Sequence, residues 1–409
     1  MRVCVVGSGG REHALAHVLG RTATSVVVTP GNPGIPGSVA TPPEEIDADL
    51  FVIGPEAPLV DGLADRLRAQ GRLVFGPGAD GARLEGSKAW MKQVLVDAGV
   101  PTAAYAAFGP DDESAALDFL ASLPGPYVVK TDGLAAGKGV VVTESLDEAR
   151  GAVGAYLSGE AFGAAGQRLV IEEFLDGPEL SVLAVCDGRR AVPLAPAQDF
   201  KRVGDDDAGP NTGGMGAYSP VPVAGPDVVA EVMATAVEPT LAALADRGVD
   251  YRGVLYAGLV LTASGPKVLE YNVRFGDPET QVVVPRLSSD LVELLAQAAD
   301  GSLTAAPTFV DDAFVTVVCA SEGYPAAPRT GDVIDGIDAA EATGATVFCA
   351  GVAADGAGRL VTGGGRVLAV TGSGPSLADA RHAAYRAVGC ISWPGMHHRG
   401  DIARQAAAS

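Results

Sequence analysis

Cysteine is scarce in this chain and poorly placed for pairing. Cys4, Cys186, Cys319, Cys349 and Cys390 lie far apart, with no C-x-x-C among them. That excludes a disulfide framework and a zinc ribbon, and predicts reduced, buried thiols and a cytoplasmic setting. Positive charge is also short. Lysine and arginine total 29 against 50 aspartates and glutamates, a formal charge of −21. So acidic a surface repels nucleic acid and anionic membranes, so neither is expected as a partner. Any anionic substrate must therefore be held locally, by clustered Lys, Arg and Gly. No run approaches eighteen uninterrupted apolar residues, so no membrane span is expected. The beginning, Val3-Cys4-Val5-Val6, has no basic segment or small-residue cleavage site, which argues against an ordinary secretory signal. Repeats and low-complexity tracts are missing too, apart from an Ala-rich tail.

The composition is globular, 47% hydrophobic and 19% charged, and 409 residues exceed one core, so two to four domains are expected. Short apolar strands (Val3–Val6, Ser25–Val28, Asp49–Ile53, Leu73–Phe75) alternate with helical stretches at Glu12–Leu19 and Leu59–Ala69, an α/β pattern with a parallel sheet. The Pro-rich connection Gly37–Asp47 is too short for a crossover helix. Ser87 reads as the N-cap of a helix ending near Ala98. From Pro101 onward the pattern becomes α+β, with hairpins turning at Asp187-Gly188 and Ser264-Gly265 and a long helix near Pro226–Arg247. The end is small and β-rich, closed by a helix around Leu377–Val388. The expected division is 1–85, 86–305 with a mobile lid at about 110–180, and 306–409.

The 54 glycines cluster at 7–10, 133–139 and 213–216. Gly7-Ser8-Gly9-Gly10 lies between a strand and a helix, where backbone amides favour an anion, so it is either a phosphate or substrate turn or a tight structural one. It is not a dinucleotide fingerprint. Glu12 replaces the third glycine, and strand two ends Val28-Thr29-Pro30 without a ribose-binding acid. Gly54-Pro55-Glu56 is a companion candidate at a strand end. Tyr127–Lys130 and Gly139–Val142 are strands joined by a cationic, Gly-rich loop carrying Gly133, Gly137 and Lys138. This suits phosphate oxygens but lacks the Walker A hydroxyl. Lys88 and Lys92, four residues apart, share a helix face that is more often solvated than functional. The strand end at Glu172-Glu173-Phe174-Leu175, with Glu179 beyond it, could frame a purine and reach ribose hydroxyls. In Leu269–Arg274, alternation sets Glu270, Asn272 and Arg274 on one face. Two of these offer hard oxygens for Mg²⁺ or Mn²⁺, and the third offers charge for a transferring phosphoryl group.

In this order the pieces resemble the ATP-grasp superfamily and, within it, the phosphoribosylamine–glycine ligase family. Arg274-Phe275-Gly276-Asp277-Pro278-Glu279-Thr280-Gln281 matches that family's R-F-G-D-P-E-x-Q signature. Gln198–Gly204, followed by Gly209–Pro220, matches its second motif, and the similarity covers the whole chain. The resemblance implies a Rossmann-like N-terminal domain, an ATP-grasp fold and a β-rich C-terminal domain. It implies ATP as co-substrate, Mg²⁺ or Mn²⁺, and glycine and 5-phosphoribosylamine as substrates. Residue by residue, it implies that Lys88, Lys130 and the lid Gly133–Gly139 (with Gly137 and Lys138) hold phosphates. Glu172, Glu173, Phe174 and Leu175 would frame adenine, Glu179 would bind ribose, and Glu270 and Asn272 would hold metal. Gly9, Gly10, Glu56, Asp199, Gly213, Gly214, Met215 and Gly216 would surround the substrates, with Arg274 and Asp277 catalytic. The chain departs from the family at Phe200, where many members carry His, and in its short Gly37–Asp47 connection. It departs again at Gly258-Leu259-Val260, which offers no carboxylate to a second metal. The rival expectations are an ATP-grasp ligase for another carboxylate and an ATP sensor without turnover. Among the five histidines, His13 is the one candidate for a place near the substrate, with a structural role as its alternative, and the rest read as structural.

Overall fold

A computed structural model describes residues 1–133, 139–160 and 167–408. Its first sheet is parallel. Arg2–Gly7 lies between Ser25–Pro30 and Leu50–Ile53, and Val74–Phe75 sits outside the latter. Val3–Val6 and Leu50–Ile53 are apolar at every position because both faces of their sheet are covered, so no polar alternation survives. The connection from Pro30 to Leu50 contains only a short 3₁₀ turn, Pro43–Glu45, so extended chain makes this crossover. The helical stretch expected at Leu59–Ala69 is broken into Glu56–Val60 and Leu63–Ala69 by Gly62, whose φ is 78°.

Three larger antiparallel sheets follow, beside two two-stranded ones, Arg202–Gly204 with Ala208–Asn211 and Val352–Ala354 with Leu360–Thr362. The first pairs Tyr105–Phe108, Leu169–Glu173, Tyr127–Thr131 and Val140–Thr143 in that order. Helices Glu113–Ser122 and Leu146–Leu157 pack on it around a core of its own, including Leu120, Val153 and Ile171. The second runs Ala191–Pro193, Glu179–Asp187, Arg252–Thr262, Gly265–Asn272, the two hairpins read from Asp187-Gly188 and Ser264-Gly265. The third runs Gln198–Asp199, Gly216–Ser219, Ala313–Ala320, Arg366–Gly374, Thr346–Cys349. Two of its strands come from the middle of the chain, so the last hundred residues do not build their sheet alone.

The run of helix from Pro226 to Asp246 is long and apolar enough, at mean hydropathy 1.5, to cross a membrane by length and composition. Here its apolar residues Val232, Val237, Leu241 and Leu244 are buried in the protein's main core. The face carrying Asp227, Glu231 and Asp246 is polar.

Candidate active site

A cleft of about 900 Å³ opens where the sheets meet, and the strand Gly265–Asn272 forms part of its floor. Alternation places Tyr271 inward, its hydroxyl bonded to Thr240 and Ala236, while Glu270 and Asn272 face the cleft. Opposite Glu270 across the ladder stands Gly258, so no neighbouring side chain fills that space. The Glu270 carboxylate makes no hydrogen bond among the described residues. Burial works against its charge. Lys130, Lys88, Lys201 and Arg274 outweigh that and hold the carboxyl below its ordinary range. Asn272 Oδ1 accepts from Arg274 at 3.0 Å, and Arg274 also donates to Glu85 (2.9 Å) and Glu56 (3.2 Å). Glu270 and Asn272 thus offer hard oxygens, one of them on an uncommitted carboxylate. Among the described residues no three His, Cys, Asp or Glu side chains converge. This fits a divalent cation that takes its remaining ligands from phosphates and water.

Above the floor stand the lysines. Ser87 caps the helix Lys88–Asp97 by accepting from Trp90 N at 3.2 Å, a cap worth about 1 kcal/mol. Asp132 joins it, accepting from Ala89 N at 3.1 Å, which ties the glycine-rich connection to this helix end. Lys88 then extends to Gly133 O, 3.1 Å away. Lys92 is not on a solvated face. It is fully buried, with Nζ 3.0 Å from Glu172 and 2.8 Å from Thr102 Oγ1. Burial, against the pull of Glu172, lowers its pKa to about 8. Lys130 reaches the same Glu172 oxygen at 3.1 Å, so one buried carboxylate serves two ammonium groups, and its other oxygen, Oε1, has no hydrogen-bond partner among the described residues. Along the cleft follow Glu173, paired with Lys267 at 3.1 Å, exposed Phe174, and Leu175. Glu179 is 2.6 Å from Lys201, which also holds Asp199 at 2.7 Å. Burial, with the charges of Glu279 and Glu179, raises the pKa of Asp199, while Lys201 stays firmly protonated among these acids. Gly137 and Lys138 lie outside the described residues.

At the far end of the cleft the third sheet contributes Arg366. It donates to Asp277 Oδ2 (2.9 Å), to Asp277 O (2.8 Å) and to Gly213 O. Burial opposes ionisation of Asp277, but Arg366 and then Arg11 hold its carboxyl low. Gly214 has φ 105° and its missing Cβ would lie 2.4 Å from Pro278 Cδ, so only glycine fits there. The expected loop is split. Gly213 and Gly214 face Asp277, whereas Met215 is fully buried and Gly216 begins a strand, their backbone bonded to Phe200 and Val318. Neither Met215 nor Gly216 lines the cleft.

At the N-terminal glycines the chain supplies a carboxylate of its own. Glu12 folds back so that Oε2 accepts from Gly9 N at 2.6 Å, and Cβ atoms on Gly7 or Gly54 would fall within 2.6 Å of its side chain. A carboxylate from the chain itself therefore caps this helix. Gly9 and Gly10 abut Asp277 and Gln281, and Glu56 meets Arg274. His13 is not at the cleft. Its Nδ1 accepts from Cys349 N at 2.9 Å and its ring packs edge-on to Phe348.

Sequence comparison agrees with this architecture. Residues 1–85, 86–280 and 314–405 match the N domain, the ATP-grasp (A) domain and the C domain of phosphoribosylglycinamide synthetase. A phosphoribosylamine–glycine ligase of Streptomyces coelicolor is 49% identical, with all of both chains covered. The chain belongs to the phosphoribosylamine–glycine ligase family. A solved ligase structure of that name from Thermotoga maritima superposes with a TM-score of 0.86 at 36% identity, covering 98% of this chain and 100% of that one. N5-carboxyaminoimidazole ribonucleotide synthetase from the same organism shares the fold, with a TM-score of 0.63 at 16% identity over 96% and 99% of the two chains.

Several residues of this family member's cleft escaped the sequence reading. Arg366 is the main one, since nothing near it in sequence marks it as polar-functional. Lys201 and Glu279 lay inside the quoted motifs without a role. Glu279 accepts from Tyr256 OH and, at 3.4 Å, from Ser181. Arg11 and Glu85 could be found only through their partners Phe275 O and Arg274, more than 180 positions away.

Proposed function

We propose that this chain joins glycine to 5-phospho-D-ribosylamine at the expense of ATP, giving glycinamide ribonucleotide, ADP and phosphate in purine (IMP) biosynthesis. The observation that carries the reading is the uncommitted Glu270 carboxylate on the cleft floor, ringed by Lys130, Lys88, Lys201 and Arg274. A cleft with that charge pattern suits a polyphosphate and its counter-ion rather than a neutral ligand.

Lys88 and Lys130 take the phosphates, the Glu172–Leu175 edge frames adenine, and Glu179 meets the ribose. Glu270 and Asn272 hold Mg²⁺ or Mn²⁺, which supplies charge neutralisation at the phosphates. One glycine carboxylate oxygen forms a bond to the γ-phosphorus as the bond to ADP breaks, giving glycyl phosphate. The amine nitrogen then bonds to the acyl carbon, the bond from that carbon to the bridging oxygen breaks, and phosphate departs with that former carboxylate oxygen and the amine's proton. Arg274, already fixed by Glu85 and Glu56, meets charge on the transferring group without reorganising. Asp277, Gly213 and Gly214 flank glycine, and Gly9, Gly10, Glu56 and Asp199 border the sugar phosphate. The buried thiols Cys4, Cys186, Cys319 and Cys349 support a cytoplasmic setting.

Glycine labelled with ¹⁸O in its carboxylate tests the route. The expected result is ADP and one labelled oxygen in phosphate per amide formed. Label in AMP, or unlabelled phosphate, overturns the acyl-phosphate route.

A further inference from the structure

Asp206 (φ 54°), Asp207 (φ 53°) and Ala403 (φ 57°) are the non-glycine residues with left-handed backbone among the described residues. All three fall in one contact. It joins the hairpin of Arg202–Gly204 and Ala208–Asn211 to the C-terminal segment 397–406. The hairpin is mostly exposed, but its base carries Lys201, Thr212 and Gly213 into the cleft wall.

At the centre lies Arg399, only 1% exposed. It donates to Asp401 (2.7 and 2.6 Å), to Asp207 (2.7 Å) and to the backbone carbonyl of Arg202 (3.1 Å). Its guanidinium stands 4.9 Å above the Phe200 ring. Asp401 in turn accepts from Asp206 N at 2.9 Å, and Asp205 accepts from Gly400 N at 2.7 Å. The segment is anchored behind by Tyr385, whose hydroxyl donates to Arg399 O at 2.7 Å, and by Arg381, which donates to Ile402 O at 3.0 Å.

Burying an arginine is unfavourable unless its donors are met. A left-handed non-glycine residue adds backbone strain, which concentrates where geometry is functional. A surface hairpin needs neither feature, since a glycine turn would close it without strain.

We propose that segment 397–406 is a clasp, and that Arg399 is a positioning residue that fixes Lys201 and the Gly213–Gly214 turn through Phe200 and the hairpin. Arg399 also borders the cleft, but its donors are taken by Asp401, Asp207 and the Arg202 carbonyl, so it acts through the residues it holds. The kinetic consequence rests on the ligase reading, whereas the mechanical one does not.

The test uses the full-length enzyme with Arg399→Lys, which keeps charge but loses the fork, and with Asp207→Asn as the gentler variant at a largely exposed carboxylate. Amide exchange across 202–211 is expected to quicken about tenfold in Arg399→Lys, with the strand Ala313–Ala320 unchanged. The kcat/KM for glycine is expected to fall about tenfold through KM. Asp207→Asn should show the same pattern at smaller size, and it decides the matter if Arg399→Lys does not fold. Unchanged hairpin exchange overturns the clasp. Faster exchange with unchanged glycine kinetics overturns the positioning role. A wild-type enzyme inactive with glycine and the amine defeats the ligase reading, and exchange then judges the clasp by itself.

Discussion

Replacing Arg366 by lysine separates charge from shape at the far end of the cleft. The guanidinium spans Asp277 Oδ2, Asp277 O and Gly213 O, acceptors on two segments sixty-four positions apart. A lysine ammonium is a point donor and can keep the carboxylate contact, but it cannot hold both carbonyls as well. Two backbone hydrogen bonds are lost, at about 0.5–1.5 kcal/mol each, a total of about 1–3 kcal/mol. If that energy holds the Gly213–Gly214 turn against Asp277 in the reacting complex, kcat/KM for glycine falls about 5- to 150-fold. ATP binding, which depends on the other end of the cleft, should stay within about twofold. Steady-state kinetics at saturating ATP, with ATP affinity measured separately, reads both. A lowered melting temperature with unchanged kcat/KM for glycine would refute the reasoning and leave Arg366 a purely structural tie. Equal losses in ATP and glycine affinity would refute it too, by showing that the two ends of the cleft are not separable.

Glu270→Gln keeps the side-chain volume but removes the carboxylate charge, so the fold should persist while turnover drops about 100-fold and the metal concentration for half-maximal rate rises. Wild-type metal dependence would remove Glu270 from the ligand set. His13 offers a pH test. Burial, with the nearby His17, lowers its pKa from 6.5 to about 4, so the unfolded chain takes up a proton that the folded chain refuses. Stability is therefore full above pH 6.5 and is lost as pH falls toward about 4, by roughly 2–3 kcal/mol. In His13→Gln that part of the loss should vanish from melting curves taken across this window, and identical pH profiles would dismiss His13 as its source.

Much of this protein is written locally. Period-two alternation in Leu269–Arg274 placed Glu270 and Asn272 together on the cleft face, because a strand turns successive side chains to opposite sides whatever surrounds it. Ser87, the two hairpin turns and the apolar strands of the first sheet are equally local, since caps, turns and continuous burial leave their marks within a few residues. Other features had no such mark. Whether Lys92 faces water or a buried Glu172 depends on a strand eighty positions later. Glu12 broke a dinucleotide pattern in the sequence, but only the fold shows its carboxylate folded back to cap Gly9. The third sheet joins strands near 198 and 216 to others beyond 313, and this removes Met215 and Gly216 from the cleft and brings Arg366 into it. The physical reason is common to all three. Periodicity and turn chemistry report a residue's neighbours along the chain. The partner of a charge or the occupant of a glycine's empty space is settled by burial between segments that meet only once the core has closed.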